Sequence, residues 1–248
     1  MVNRDDLLQY VDTLLDCQTF QDYCVNGLQV EGRARVTRIA TGVSASMRFF
    51  QAALDWGADL LLVHHGLFWK NTPHPFALTG VLRHRVAFLL AQDVNLAAYH
   101  LPLDAHPELG NNAQILAYLE AVNLAPIEVG HTGRIDPPRD VPWLMDRLRK
   151  ASPGPVTHVG GGPELIRTVT VISGGASNLV ELVASRGSDA FVTGDLAEQV
   201  PRLAEELGIH VFSLGHYNSE RLGIMALGHR LQDTFNLPVR FFEVENPA

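Results

Sequence analysis

The feature that most constrains this chain is a series of short apolar runs, too short for helices, separated by helix-length segments. Residues 59–63 and 95–99 are such runs in the first half, and 168–173, 190–193 and 209–214 in the second. A short, continuously apolar run reads as a strand buried on both faces, and that burial needs helices packed on each side of a largely parallel sheet. The order of elements also runs twice: Gly57-Ala58-Asp59 is matched by Gly187-Ser188-Asp189, each leading into a strand. The expectation is an α/β protein of two pseudo-repeated lobes with largely parallel or mixed sheets, residues 1–128 and 129–248.

Local signals place the helices. Asn3 reads as an N-cap with Asp5 and Asp6 in the first turn, and Leu7, Leu8, Val11, Leu14 and Leu15 form the apolar stripe. A turn at Asn26-Gly27 precedes a strand at 36–43, and Ser44 or Ser46 caps a helix that runs through Leu54 and stops at Gly57. Further helices are expected at 78–92, 111–121, 141–150, 179–185 and 219–234. Residues 66–73, rich in bulky aromatics and turn formers, read as a loop over the preceding histidines, and 101–109 as another loop.

Three strands end in histidine. The run 59–63 leads into His64-His65, 95–99 into His100, and 209–214 into Gly215-His216. Ligands of open α/β sheets collect at the carboxyl ends of strands. Two of these ends share a spacing, His100-x-x-x-Asp104 and His216-x-x-x-Glu220, so each lobe offers an imidazole and a carboxylate. Imidazole suits zinc, iron, manganese or nickel, and a carboxylate such as Glu220 can bridge two cations. Singly, each feature has an ordinary explanation: a His-His dipeptide is usually a packing pair, and a loop aspartate usually satisfies backbone amides. Their joint position at strand ends is what points to metal.

Weaker features do not compete. Gly160-Gly161-Gly162 and Gly174-Gly175 lack a phosphate-binding spacing or a Walker lysine and read as tight turns. Gly42-Val43-Ser44-Ala45-Ser46 lacks the second glycine of a nucleophile elbow and reads as a helix cap. His74, His84, His106, His131, His158, His210 and His229 read as surface or packing residues, with His106 and His131 placed to support the ligands from behind.

Composition closes off other classes. The net charge of −8, with scattered Lys and Arg, opposes direct nucleic-acid binding. Cys17 and Cys24 form neither a disulfide framework nor a thiolate metal site. The first residues carry no secretory signal and the apolar runs are far short of a bilayer span, so a soluble, cytoplasmic protein with no membrane partner is expected.

The segments Asn26-Gly27-Leu28-Gln29-Val30-Glu31-Gly32, His64-His65-Gly66-Leu67-Phe68-Trp69, His100-Leu101-Pro102-Leu103-Asp104 through Asn112, and Gly215-His216-Tyr217-Asn218-Ser219-Glu220-Arg221 resemble the dinuclear metal-binding family called GTP cyclohydrolase 1 type 2 homologues, in its short bacterial form. The resemblance covers nearly the whole chain. It implies intertwined lobes with the metal site between them, a homohexamer, and two divalent ions per chain on His64, His65, Asp104, His216 and Glu220, with Glu220 bridging. It leaves His100 beside the metals.

Two functions follow. One is a metal-dependent hydrolase acting on a small molecule, a nucleotide-like ring or amide, through a metal-activated water, with His100 or Asp104 moving protons. Lys70, Arg83 and Arg221 are the candidates for a triphosphate. The other is a non-enzymatic metal-binding scaffold or metal-handling protein with protein partners.

Overall fold

The computed structural model describes residues 1–70 and 76–247. Its chain divides into two compact units, one made of Met1–Leu103 with Ile224–Glu245, the other holding Asp104–Gly223. The architecture is mixed α/β.

The first unit is built on a five-stranded sheet in the order Val239–Phe241, Ile39–Ser44, Leu60–His65, Asn95–Ala98, Gly27–Val30. The first four strands are parallel, and Gly27–Val30 closes the edge antiparallel to Asn95–Ala98. Leu60, Leu61, Leu62 and Val63 are all fully buried, as the continuous apolar run demands, and Phe49, Phe50 and Leu89 are buried with them in the unit's core. The helices start where side chains can take up their free amides: Asn3 accepts from the Asp5 amide at 2.8 Å ahead of Arg4–Leu14. Ser46 does the same for Phe49 at 3.3 Å ahead of Met47–Asp55.

The second unit carries a six-stranded sheet in the order Val122–Ile127, Gly130–Arg139, Ile166–Ile172, Ala190–Thr193, His210–Ser213, Thr157–Gly160. Its three inner strands from Ile166 onward are parallel, and antiparallel strands flank them on both sides. Val169, Val171, Phe191, Val192, Val211 and Phe212 fill both faces.

Several boundaries differ from the expectations above. The strand expected at 59–63 continues through both histidines, because Ser44 still pairs with His65 in the ladder. The expected loop 101–109 opens with a helical turn, Leu101–Asp104. The expected helix 219–234 is preceded by a separate short helix, His216–Ser219, and Glu220 stands at the break with φ −113° before Arg221–Phe235 begins. The helix at Val200–Leu207 and the strands Gly27–Val30, Val122–Ile127, Gly130–Arg139, Thr157–Gly160 and Val239–Phe241 lie where no element was expected. Of the aromatic loop and its surroundings, residues 71–73 and His74 lie outside the described residues. No helix among the described residues is long and apolar enough to cross a membrane.

Candidate metal centre

In the first unit, the carboxyl ends of two adjacent parallel strands bring three imidazoles together. His64 and His65 come from Leu60–His65, and His100 follows Asn95–Ala98 by two residues. One ring nitrogen from each lies within 4.8 Å of the others, and the ring centroids are 4.8 Å (His64 to His65), 5.0 Å (His64 to His100) and 5.7 Å (His65 to His100) apart. Strand alternation would send adjacent side chains to opposite faces. Here the last residue of the strand lies at the end of the ladder, where its ring turns toward its neighbour's.

Each ring is oriented from behind. His64 is fully buried, and its Nδ1 lies 3.0 Å from the Tyr99 carbonyl. A carbonyl only accepts, so Nδ1 carries the proton and the neutral ring keeps its lone pair on Nε2, the form a metal ligand needs. His65 Nδ1 is 3.0 Å from Ser44 Oγ, which gives Ser44 a role that its reading as a helix cap missed. His100 Nδ1 is 3.0 Å from Asp22 Oδ1. The loop after His65 is tied down by Gln29, whose Oε1 accepts from the Leu67 and Phe68 amides at 2.6 and 3.2 Å while its Nε2 donates to the Val25 carbonyl at 2.7 Å. Trp69 then stands edge-on to His100, with centroids 5.3 Å apart.

The second unit holds a carboxylate cluster of its own. Asp104, 3% exposed, ends its helical turn with Oδ1 accepting from Asn111 Nδ2 at 2.8 Å and Ser173 Oγ at 3.2 Å. Asn111 and Asn112 are themselves fully buried and fixed, Asn111 Oδ1 by the Gly223 amide and Asn112 Oδ1 by the Ser173 amide. Glu220, also 3% exposed, offers an oxygen within 4.8 Å of one from Asp104, and its Oε2 is 3.4 Å from His216 Nε2. On its other side His216 Nδ1 faces Asp195 Oδ2 at 3.1 Å, so a carboxylate holds this imidazole as Tyr99 holds His64.

Two buried carboxylates and an imidazole this close, and three imidazoles with ring nitrogens converging, match the donor chemistry of borderline divalent ions. The thiols do not join in. Burial pushes Cys17 up to about 12 and Cys24 up to about 11, the nearby Asp12 and Asp22 respectively adding to it, so neither offers a thiolate at neutral pH. His131 is buried, and burial, with His106 adding to it, lowers its pKa below the ordinary imidazole value. Of the cationic candidates for a triphosphate, Lys70 and Arg83 belong to the first unit and Arg221 to the second. Lys70 lines a cavity of about 320 Å³ with Asp12, Cys17, Cys24 and Asn26.

Gly174 is a part of the site that sequence reasoning read only as a turn. It sits at φ +65°, and a Cβ there would lie 2.3 Å from Glu220 Oε1 and 3.3 Å from His216 Nε2. Its amide donates to Ser219 Oγ at 2.9 Å, and that hydroxyl donates to the His216 carbonyl, which fixes the turn carrying both ligands. Gly174→Ala is therefore expected to displace Glu220 and lower metal content, at a folding cost of about 1–2 kcal/mol for the left-handed backbone alone. Metal analysis alongside thermal melting checks this, and unchanged metal content would contradict it.

A family model described as Duf34/NIF3 (NGG1p interacting factor 3) matches residues 2–247. The chain is 40% identical to a protein of Haemophilus influenzae and 42% identical to one of Yersinia pestis, both named GTP cyclohydrolase 1 type 2 homolog; the alignments cover 100% of both chains in the first case and 98% of both in the second. A solved structure from Thermus thermophilus superposes with a TM-score of 0.93 at 37% identity, covering 100% of both chains.

Proposed function

The chain belongs to the Duf34/NIF3 family, and from that premise we propose that it is a dinuclear metal-dependent hydrolase acting on a nucleotide-like ring or amide. The observation that carries this reading is the adjacent pair His64 and His65, with ring centroids 4.8 Å apart and His64 held in the tautomer that keeps the lone pair on Nε2. In this reading His64, His65, Asp104, His216 and Glu220 hold two divalent ions, zinc, iron, manganese or nickel, with Glu220 shared between them. The name GTP cyclohydrolase 1 type 2 homolog, borne by relatives at about 40% identity, supports a substrate of nucleotide type.

Bound divalent ions supply Lewis acidity, which polarises an attacked carbon and brings the deprotonation of water into the neutral range. The chain's own residues do the rest. His100 Nε2 takes a proton from the attacking water as its oxygen bonds to carbon, then returns it to the leaving nitrogen as the carbon–nitrogen bond breaks. Trp69 and Tyr23, with ring centroids 5.3 and 5.0 Å from His100, restrict water around that imidazole. In this reading Lys70 is assigned an anionic group of the substrate.

The test is a screen of the metal-loaded protein against nucleotides and cyclic amides, with products identified by mass spectrometry. Hydrolysis abolished by chelator and restored by metal is the expected result. Turnover indifferent to chelator, or none across both substrate classes, would favour a metal-binding scaffold. The same reading carries a homohexamer, consistent with exposed apolar side chains such as Val81 (67%) and Leu90 (57%), and a monomer mass in light scattering would count against it.

A further inference from the structure

Asp22 is a buried carboxylate beside the imidazole cluster, and no sequence motif marks it. Its side chain is almost fully buried, and four groups able to donate reach it. Oδ1 accepts from the Cys24 amide at 2.8 Å and meets His100 Nδ1 at 3.0 Å. Oδ2 accepts from Asn26 Nδ2 and the Leu101 amide, both at 2.9 Å. Burial alone would raise this carboxyl, but the hydrogen bonds from His100, Cys24 and Asn26 outweigh it and hold it at about 2. It stays an ionised, acceptor-only group.

An ionised carboxylate cannot donate, so the proton between Asp22 and His100 belongs to His100 Nδ1. In the neutral form of the ring the lone pair is then on Nε2, the nitrogen on the far side from Asp22. Asn26 reinforces the arrangement: its Oδ1 accepts from the His100 amide at 2.8 Å, so the backbone of His100 is held as firmly as its ring. Tyr23 and Trp69 stand edge-on to the ring, which limits its rotation.

We propose that Asp22 is a positioning residue, which locks His100 in the Nδ1–H tautomer and so presents Nε2 as the proton acceptor of the hydrolysis. The role assigned to Nε2 rests on the hydrolase reading; the tautomer does not. Asparagine cannot replace Asp22, because four donors need two acceptor atoms and an amide supplies one. Its NH₂ would face two donors, or, turned toward the imidazole, would make Nδ1 accept and move the ring proton to Nε2.

The experiment is ¹⁵N NMR of the full-length, zinc-loaded protein with labelled histidine, His100 being assigned by difference from His100→Gln. Wild type is expected to show His100 protonated at Nδ1 with a bare Nε2. Asp22→Asn is expected to shift the proton to Nε2 in a measurable share of molecules with zinc content retained, and, once a substrate is known, to lower kcat by about 10²-fold with KM nearly unchanged. A wild-type spectrum with His100 protonated at Nε2 overturns the proposal without any variant, so poor folding of Asp22→Asn leaves the question decidable. An Asp22→Asn spectrum in which His100 keeps its wild-type tautomer overturns it as well. If no substrate is found, the hydrolase reading fails while the spectra still report on Asp22.

Discussion

Glu220→Ala is expected to strip the protein of both ions, from about two per chain to well below one, as read by elemental analysis of protein purified without chelator. The warrant is position and chemistry together. Glu220 is buried at a break between two helices, beside His216 and against Gly174, and in the proposed dinuclear site it is the carboxylate both cations share, so its removal unbalances both. Losing a partner that merely orients a ligand costs metal affinity about 10- to 100-fold, so losing a shared ligand should exceed that. His64→Ala, by contrast, is expected to lower occupancy of chiefly one ion. Equal, small losses from the two changes would remove the case for a bridging role.

Asp104→Asn is expected to leave the fold standing and take most of the turnover. The amide oxygen can keep the bonds that Oδ1 accepts from Asn111 and Ser173, so the buried network survives while one negative charge disappears. If that charge acts on the reaction through the metals, kcat should fall on the order of 10²-fold or more while KM changes little. Rates for both proteins on the screened substrate, with metal content measured in parallel, decide the matter. A variant with normal metal content and a normal rate would mean that the ions do not perform the chemistry, and the scaffold function would take precedence.

The inner strands of both sheets were legible because burial on two faces leaves a signature in sequence: Leu60 to Val63 and Ala190 to Thr193 admit almost nothing polar. The helix starts at Asn3 and Ser46 were legible because capping is local chemistry. The outer strands were not. Val122–Ile127 contains a proline and is mostly exposed, and Gly130–Arg139 includes Asp136-Pro137-Pro138; the two pair with each other across a short turn, and exposed, proline-bearing segments carry little of the apolar signature that marks a strand in sequence. The candidate ligands could be picked out by their positions at strand ends, but the groups behind them could not. Asp22, Ser44 and Gly174 act through contacts with His100, His65 and Glu220, and nothing in their immediate neighbours announces such contacts.

The outermost parallel strand of the first unit, Val239–Phe241, pairs with Ile39–Ser44, so a sheet begun by residues 39–44 is finished only some two hundred residues later. During synthesis the edge of Ile39–Ser44 stays open while all of Asp104–Gly223, contiguous in the chain, emerges and gathers its own core. At roughly 5–20 residues per second, that interval lasts on the order of ten seconds or more. An unpaired edge beside fully buried Leu60–Val63 invites pairing with other nascent chains, so production of this protein should depend more on chaperones at the ribosome than the stability of its finished form would suggest.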